Sequence, residues 1–121
     1  MKIHGKERGF LLTVGASAEI AKLCPDGDMS RIGEALEGGF DKSMGVIMDM
    51  MLIMNKGYEQ NKMYETPGYE MDLLTKDELM ALPLADLMEL QNFALAQFKA
   101  DSAPEIELEE PKKEEGAKAA D

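Results

Sequence analysis

A mainly α-helical domain, opened by a small β-hairpin and closed by an acidic tail, is the fold this sequence predicts, and three stretches predict it. Between Met44 and Met54, nine of eleven residues are large and apolar, so a helix there must be covered on nearly every side. Apolar groups recur at helical spacing on both sides of it, at Ala16, Ile20, Leu23 and Cys24 before, and at Leu84, Leu87, Met88, Ala94, Leu95 and Phe98 after. From Asp101 onward the chain is rich in carboxylates, and Ile106 and Leu108 are its only large apolar groups, too few to offset the entropy of ordering. The expectation is one compact domain over residues 1–100, with about five helices packed around the methionine-rich one, and a disordered acidic tail over residues 101–121.

Taken in order, Lys2 to Val14 reads as a hairpin turning at His4-Gly5, since glycine takes positive φ freely and histidine tolerates it better than most residues. Gly9 could mark a bulge. Thr13 is a candidate N-cap for the first helix, which Pro25-Asp26-Gly27 stops. Asp28 or Ser30 caps a short second helix through Ile32, Ala35 and Leu36, ended by Gly38-Gly39. Asp41 or Ser43 starts the central helix, and Asn55-Lys56-Gly57 carries the cation and glycine expected at its C-terminus. Tyr58 to Leu74 reads as a loop with room for one helical turn. Thr75 with Glu78 forms a capping box for a short fourth helix, and Pro83 suits the opening of a long fifth.

Composition excludes several functions. With 24 acidic against 13 basic residues and a formal charge of −11, the chain repels nucleic-acid phosphates. The central apolar run is interrupted by Asp49 and is shorter than the roughly 20 residues that span a bilayer. The N-terminus has no apolar run of signal-peptide length, so a cytoplasmic protein is expected. Cys24 is the only cysteine and reads as a small buried group at a helix end, and His4, the only histidine, as a turn residue. Neither a catalytic set nor a cofactor-binding motif assembles from these residues. Asp26, Asp28, Ser30 and Glu37 follow a calcium-loop spacing, but Arg31 stands where the loop needs glycine. Ser43 invites comparison with the phosphopantetheine serine of acyl carrier proteins, yet Lys42 separates it from Asp41. No catalytic, cofactor or metal residues are therefore assigned.

What remains is binding. Met44, Met48, Met51 and Met54 follow one another at offsets of four, seven and ten along the central helix, and methionine is the side chain best suited to repack against differently shaped partners. With Leu95 and Phe98 as neighbours, these are the candidate partner-binding residues, although the same side could equally face the core. A generic helical adaptor that self-associates through this helix is one reading.

The order of elements also resembles the tail assembly chaperones of long-tailed bacteriophages and prophages. The likeness lies in Ile3 and Gly5-Lys6-Glu7, in Thr13-Val14-Gly15-Ala16 running into Glu19 to Pro25, in the apolar central helix, and in Leu74 to Leu79 with Leu82-Pro83-Leu84. It spans about residues 2 to 100, and the methionine density is higher than the family leads one to expect. The resemblance implies a non-catalytic protein that escorts the helical tape-measure protein before tail-tube subunits polymerise around it. It also implies a longer frameshifted form, for which codons at Lys112-Lys113 would be the place, although an ordinary lysine pair in a charged tail explains these residues more simply.

Overall fold

The first turn follows from the His4-Gly5 pair. In the computed structural model, which describes residues 2–102, β1 (Lys2–Ile3) and β2 (Lys6–Glu7) pair antiparallel with Lys2 opposite Glu7 and Ile3 opposite Lys6. His4 and Gly5 both have positive φ, 51° and 81°, as a two-residue hairpin turn requires. So short a ribbon is not stable alone. It is held because Ile3 is buried in the core and the His4 ring Nε2 donates to the Glu78 carbonyl at 2.8 Å.

Helix α1 (Val14–Ala21) begins where expected, with Thr13 Oγ1 accepting the Ala16 N–H at 3.0 Å, and turns Ala16 and Ile20 inward. Two 3₁₀ turns, Pro25–Gly27 and Met29–Arg31, lead to the short α2 (Ile32–Ala35). Asp28 caps the second turn by accepting both the backbone N–H and the hydroxyl of Ser30. Cys24 is buried beside α1, its thiol donating to the Ile20 carbonyl, and burial pushes its pKa up.

Helix α3 (Phe40–Glu65) departs from the expected bounds at both ends. It starts at Phe40, with Gly39 as its N-cap, and runs eight residues past Gly57. Gly57 is a packing glycine here: a Cβ on it would stand 2.7 Å from the Leu11 carbonyl oxygen and 2.9 Å from Thr13 Oγ1. The chain before α1 lies directly on the helix backbone at this point, with the Leu11 N–H donating to the Met54 carbonyl at 3.0 Å. Gly9 works the same way, since a Cβ there would meet the Tyr58 ring at 2.5 Å. The expected loop from Tyr58 therefore shrinks to the segment between Glu65 and α4 (Lys76–Met80).

That segment is strapped to α3 by buried polar groups. Asn55 donates to the Gly9 carbonyl at 3.0 Å and accepts the Leu74 N–H at 2.8 Å. One helical turn on, Glu59 accepts the Tyr69 hydroxyl at 2.6 Å and the Asp72 N–H at 2.9 Å. Buried Arg8 donates to the Asp72 carbonyl and to Glu78 Oε2, tying β2 to both the strap and α4. The Thr75–Glu78 capping box is present in both directions.

Helix α5 (Leu84–Ser102) starts directly after Pro83, whose carbonyl accepts the Asp86 and Leu87 N–H groups. It lays Leu87, Leu90 and Ala94 against the core, with Phe93 edge-on to Phe10 at 5.9 Å. It extends two residues past Ala100, and Asp101 accepts the Leu12 N–H at 2.9 Å. The rest of the expected acidic tail lies outside the described residues. The fold is thus mainly helical with an N-terminal hairpin, and its core is α3 enclosed by α1, the hairpin, α4 and α5. No helix among the described residues is long and apolar enough to cross a membrane.

Two expectations follow. Gly57→Ala, which would favour an ordinary exposed helix, will instead destabilise this protein by about 1–3 kcal/mol through overpacking, read from urea unfolding; a stabilised variant would contradict the close approach. The strap also sets the pH response. Glu78 is held below its ordinary carboxylate pKa chiefly by the Thr75 backbone N–H, with Arg8 adding to it, and Asp72 is lowered chiefly by Lys6. Both stabilise the fold above their unfolded values and lose that contribution as the pH falls through the lowered ones. Tyr69, pushed up to about 12 by donating to Glu59, contributes below its ordinary value of 10.0 and loses its contribution as the pH rises through about 12. Urea midpoints should fall between about pH 6 and about pH 3, less steeply in Glu78→Gln; an identical acid limb in that variant would remove Glu78 from the account.

Candidate interaction surface

The four methionines do not form one exposed row. Met51 and Met54 are 1% and 0% exposed and belong to the core, the alternative the sequence left open for this side of the helix. The reason is that a helix apolar on all sides carries no mark of which side its neighbours will cover. Leu95 and Phe98 are half-buried and pack against this same core, Leu95 closing over Ile47, Met50 and Met51.

Met44 and Met48 have a different setting. Although mostly buried, they floor an open cleft of about 340 Å³ whose other lining residues are Phe40, Asp41, Leu79, Met80, Leu82, Leu84 and Leu87. Its walls are the first turns of α3, the end of α4 and the start of α5. The local sequence dictates this opening. Helix α4 is only five residues long, and Ala81 to Pro83 turn the chain into α5 before another turn of helix can cover α3. Gly38-Gly39 likewise releases Phe40 at the rim.

The rim is unusually apolar for a surface. Phe40 and Met80 are each 64% exposed, Leu84 is exposed beside them, and Met88 is exposed one turn further along α5. Asp41 is the only charged residue lining the cleft among the described residues. Contiguous exposed apolar side chains cost free energy in water and mark surfaces that another chain covers. A cleft of this shape can take a few apolar side chains from successive turns of a helix, with Met44, Met48 and Met80 adjusting their rotamers to the shape presented. Phe40 was missed in the sequence because the helix was expected to start after it, at Asp41 or Ser43, although it stands four and eight residues before Met44 and Met48, and Met80 because it ends a short helix outside the assigned stripes. Their signal was position: an aromatic right after a double glycine, and a methionine at the last position of a capped five-residue helix.

The other constellations resolve into structure. Asp26 pairs with Arg31 at 2.7 Å, and Arg31 also pairs with Glu34 at 2.7 Å. Asp28 serves as a cap, its carboxyl held low chiefly by the Ser30 hydroxyl. Among the described residues no group of three or more His, Cys, Asp or Glu side chains could hold a metal ion. Ser43 lies in the first turns of α3, its hydroxyl donating to the Phe40 carbonyl at 3.3 Å.

Fold and cleft together define a small helical domain with a solvent-open apolar cleft at the N-terminal end of its central helix. No family model, no curated protein and no solved structure matches the chain.

If rim and core divide as described, Phe40→Ser and Met80→Ser will each change stability by no more than about 0.5 kcal/mol, whereas Met51→Ala will cost about 2–5 kcal/mol. Urea unfolding of the three variants checks this, and a Phe40→Ser protein as unstable as Met51→Ala would mean that the rim is structural.

Proposed function

We propose that this protein is a non-catalytic tail assembly chaperone of a long-tailed phage or prophage, which covers apolar stripes on the helical tape-measure protein until tail-tube subunits replace it. The observation that carries this reading is the cleft floored by Met44 and Met48 and rimmed by Phe40, Met80 and Leu84. A tape measure is a long helix whose apolar side chains would associate in the wrong register if left bare. A shallow cleft with adaptable side chains suits many unlike segments of such a helix, and suits release, because no deep pocket must be vacated. The net charge of −11 keeps a coated complex soluble and opposes association between chaperones.

A self-associating adaptor is the second reading, and with Met51 and Met54 sealed the methionines left to it on the early turns of the central helix are Met44 and Met48, in the same cleft. The two differ in what they cover.

Co-expression with a cognate tape-measure protein separates them. The wild-type chain should move the tape measure from the pellet to the soluble fraction and co-purify with it, and Met80→Asp, folded as judged by its thermal unfolding, should not. A tape measure no more soluble with the chain than without it would overturn the reading.

A further inference from the structure

The apolar cleft does not end in neutral surface. At Leu82 it adjoins a second hollow of about 390 Å³ between the hairpin and α5, lined by Lys2, Ile3, His4, Leu82, Pro83, Asp86, Glu89 and Leu90. Leu82 lines both, so a side chain seated in the cleft lies next to one that passes over Leu82 towards Asp86 and Glu89. Asp41 faces the cleft from the other side. The cations nearby compensate only partly. Among the described residues Lys2 is the one lysine lining the second hollow, and the stem of Lys42 runs back over Gly38, where a Cβ would meet its Cδ at 3.2 Å.

Three occupants can be compared. The chain's own segment after Ser102 follows the far end of α5, about 27 Å from Leu84 at 1.5 Å per residue. Its apolar pair Ile106 and Leu108 lies only a few residues beyond Ser102 and is flanked by Glu105, Glu107 and Glu109, so both reach and charge oppose it. A second copy would bring another −11 to a chain that already carries −11. A foreign helix with lysine or arginine flanking its apolar face meets neither obstacle: its long stems would lie over Leu82 while their heads reach the carboxylates.

We propose that the cleft and the adjoining hollow together form a recognition surface for a basic amphipathic helix, Phe40, Met44, Met48, Met80 and Leu84 taking its apolar side chains, and Asp86 and Glu89 taking a cation beside them. This deepens the tape-measure reading and rests on the same cleft, since it states which segments of such a partner the cleft selects. The apolar residues supply affinity, and the carboxylates supply direction and choice.

The test uses the full chain and two synthetic helical peptides with the same leucine face, one with lysine at the flanking positions and one with glutamate, followed by fluorescence anisotropy. The lysine peptide should bind at least about tenfold more tightly than the glutamate peptide, and the gap should narrow as salt screens the charges. Variants separate recognition from mere attraction to an acidic protein. Met80→Asp and Phe40→Asp add negative charge, so affinity for the lysine peptide would rise if charge alone were responsible, and it should instead fall by about tenfold or more. Asp86→Asn with Glu89→Gln should lower lysine-peptide affinity about threefold to tenfold while leaving that of the glutamate peptide unchanged or improved. Equal binding of the two peptides, or tighter binding by Met80→Asp, would overturn the proposal, as would sedimentation showing a dimer that Met80→Asp dissolves. Peptide selectivity without any effect on tape-measure solubility would leave the surface standing and remove only the identity of its partner.

Discussion

The structure hangs on the side-chain amide of Asn55, which is completely buried near the middle of a long helix and bonds the Gly9 carbonyl on one side and the Leu74 N–H on the other. Two stretches without regular structure, one before α1 and one after α3, would each bring unpaired backbone groups into the interior if packed on a purely apolar helix. Asn55 and, one turn on, Glu59 provide the partners. They let both stretches lie flat on α3, where Gly57 and Gly9 remove the side chains that would hold them off. The C-terminal half of α3 is thereby enclosed on a polar framework, and Arg8 extends that framework to β2 and α4.

Among the described residues nothing comparable closes the other half. Between Phe40 and Met48 the helix is covered by α4 and the start of α5, which meet at a turn and leave an apolar gap. One end of the domain is fixed by directional hydrogen bonds, and the other presents side chains held only by non-directional packing. Such a division suits a protein that must keep its shape while its contact surface adapts. The methionines fall on both sides of the line: Met51 and Met54 fill the core, and Met44 and Met48 floor the cleft.

Much of this could be read from residue types. The His4-Gly5 turn, the Thr13 cap and the Thr75–Glu78 capping box are local signals, and each operates as local chemistry says it should, whereas α1 ends at Ala21, ahead of Pro25, and the apolar stripe of α5 is divided, with Leu84 and Met88 left exposed. The end of α3 was not legible, because Asn55-Lys56-Gly57 carries the residues of a helix C-terminus and only the tertiary approach of Leu11 and Thr13 gives Gly57 its different role. The site was half legible. Met44 and Met48 followed from composition, but which part of an all-apolar helix stays open depends on how far α4 reaches, and that is decided by a turn between two other helices. Phe40 shares the helical spacing of Met44 and Met48 but precedes the start that Asp41 or Ser43 would give the helix, and Met80, on a separate short helix, carries no sequence link to either.

Hydrogen exchange on the full chain, alone and with the proposed tape-measure partner, bears most directly on the division between a fixed end and an open one. The account predicts that the partner slows exchange in the backbone from Phe40 to Met48 and from Leu79 to Leu87, while amides near Asn55 and Leu74, already slow in the free protein, do not change. Protection appearing around Asn55 to Glu65 instead, with the cleft unaffected, would contradict it.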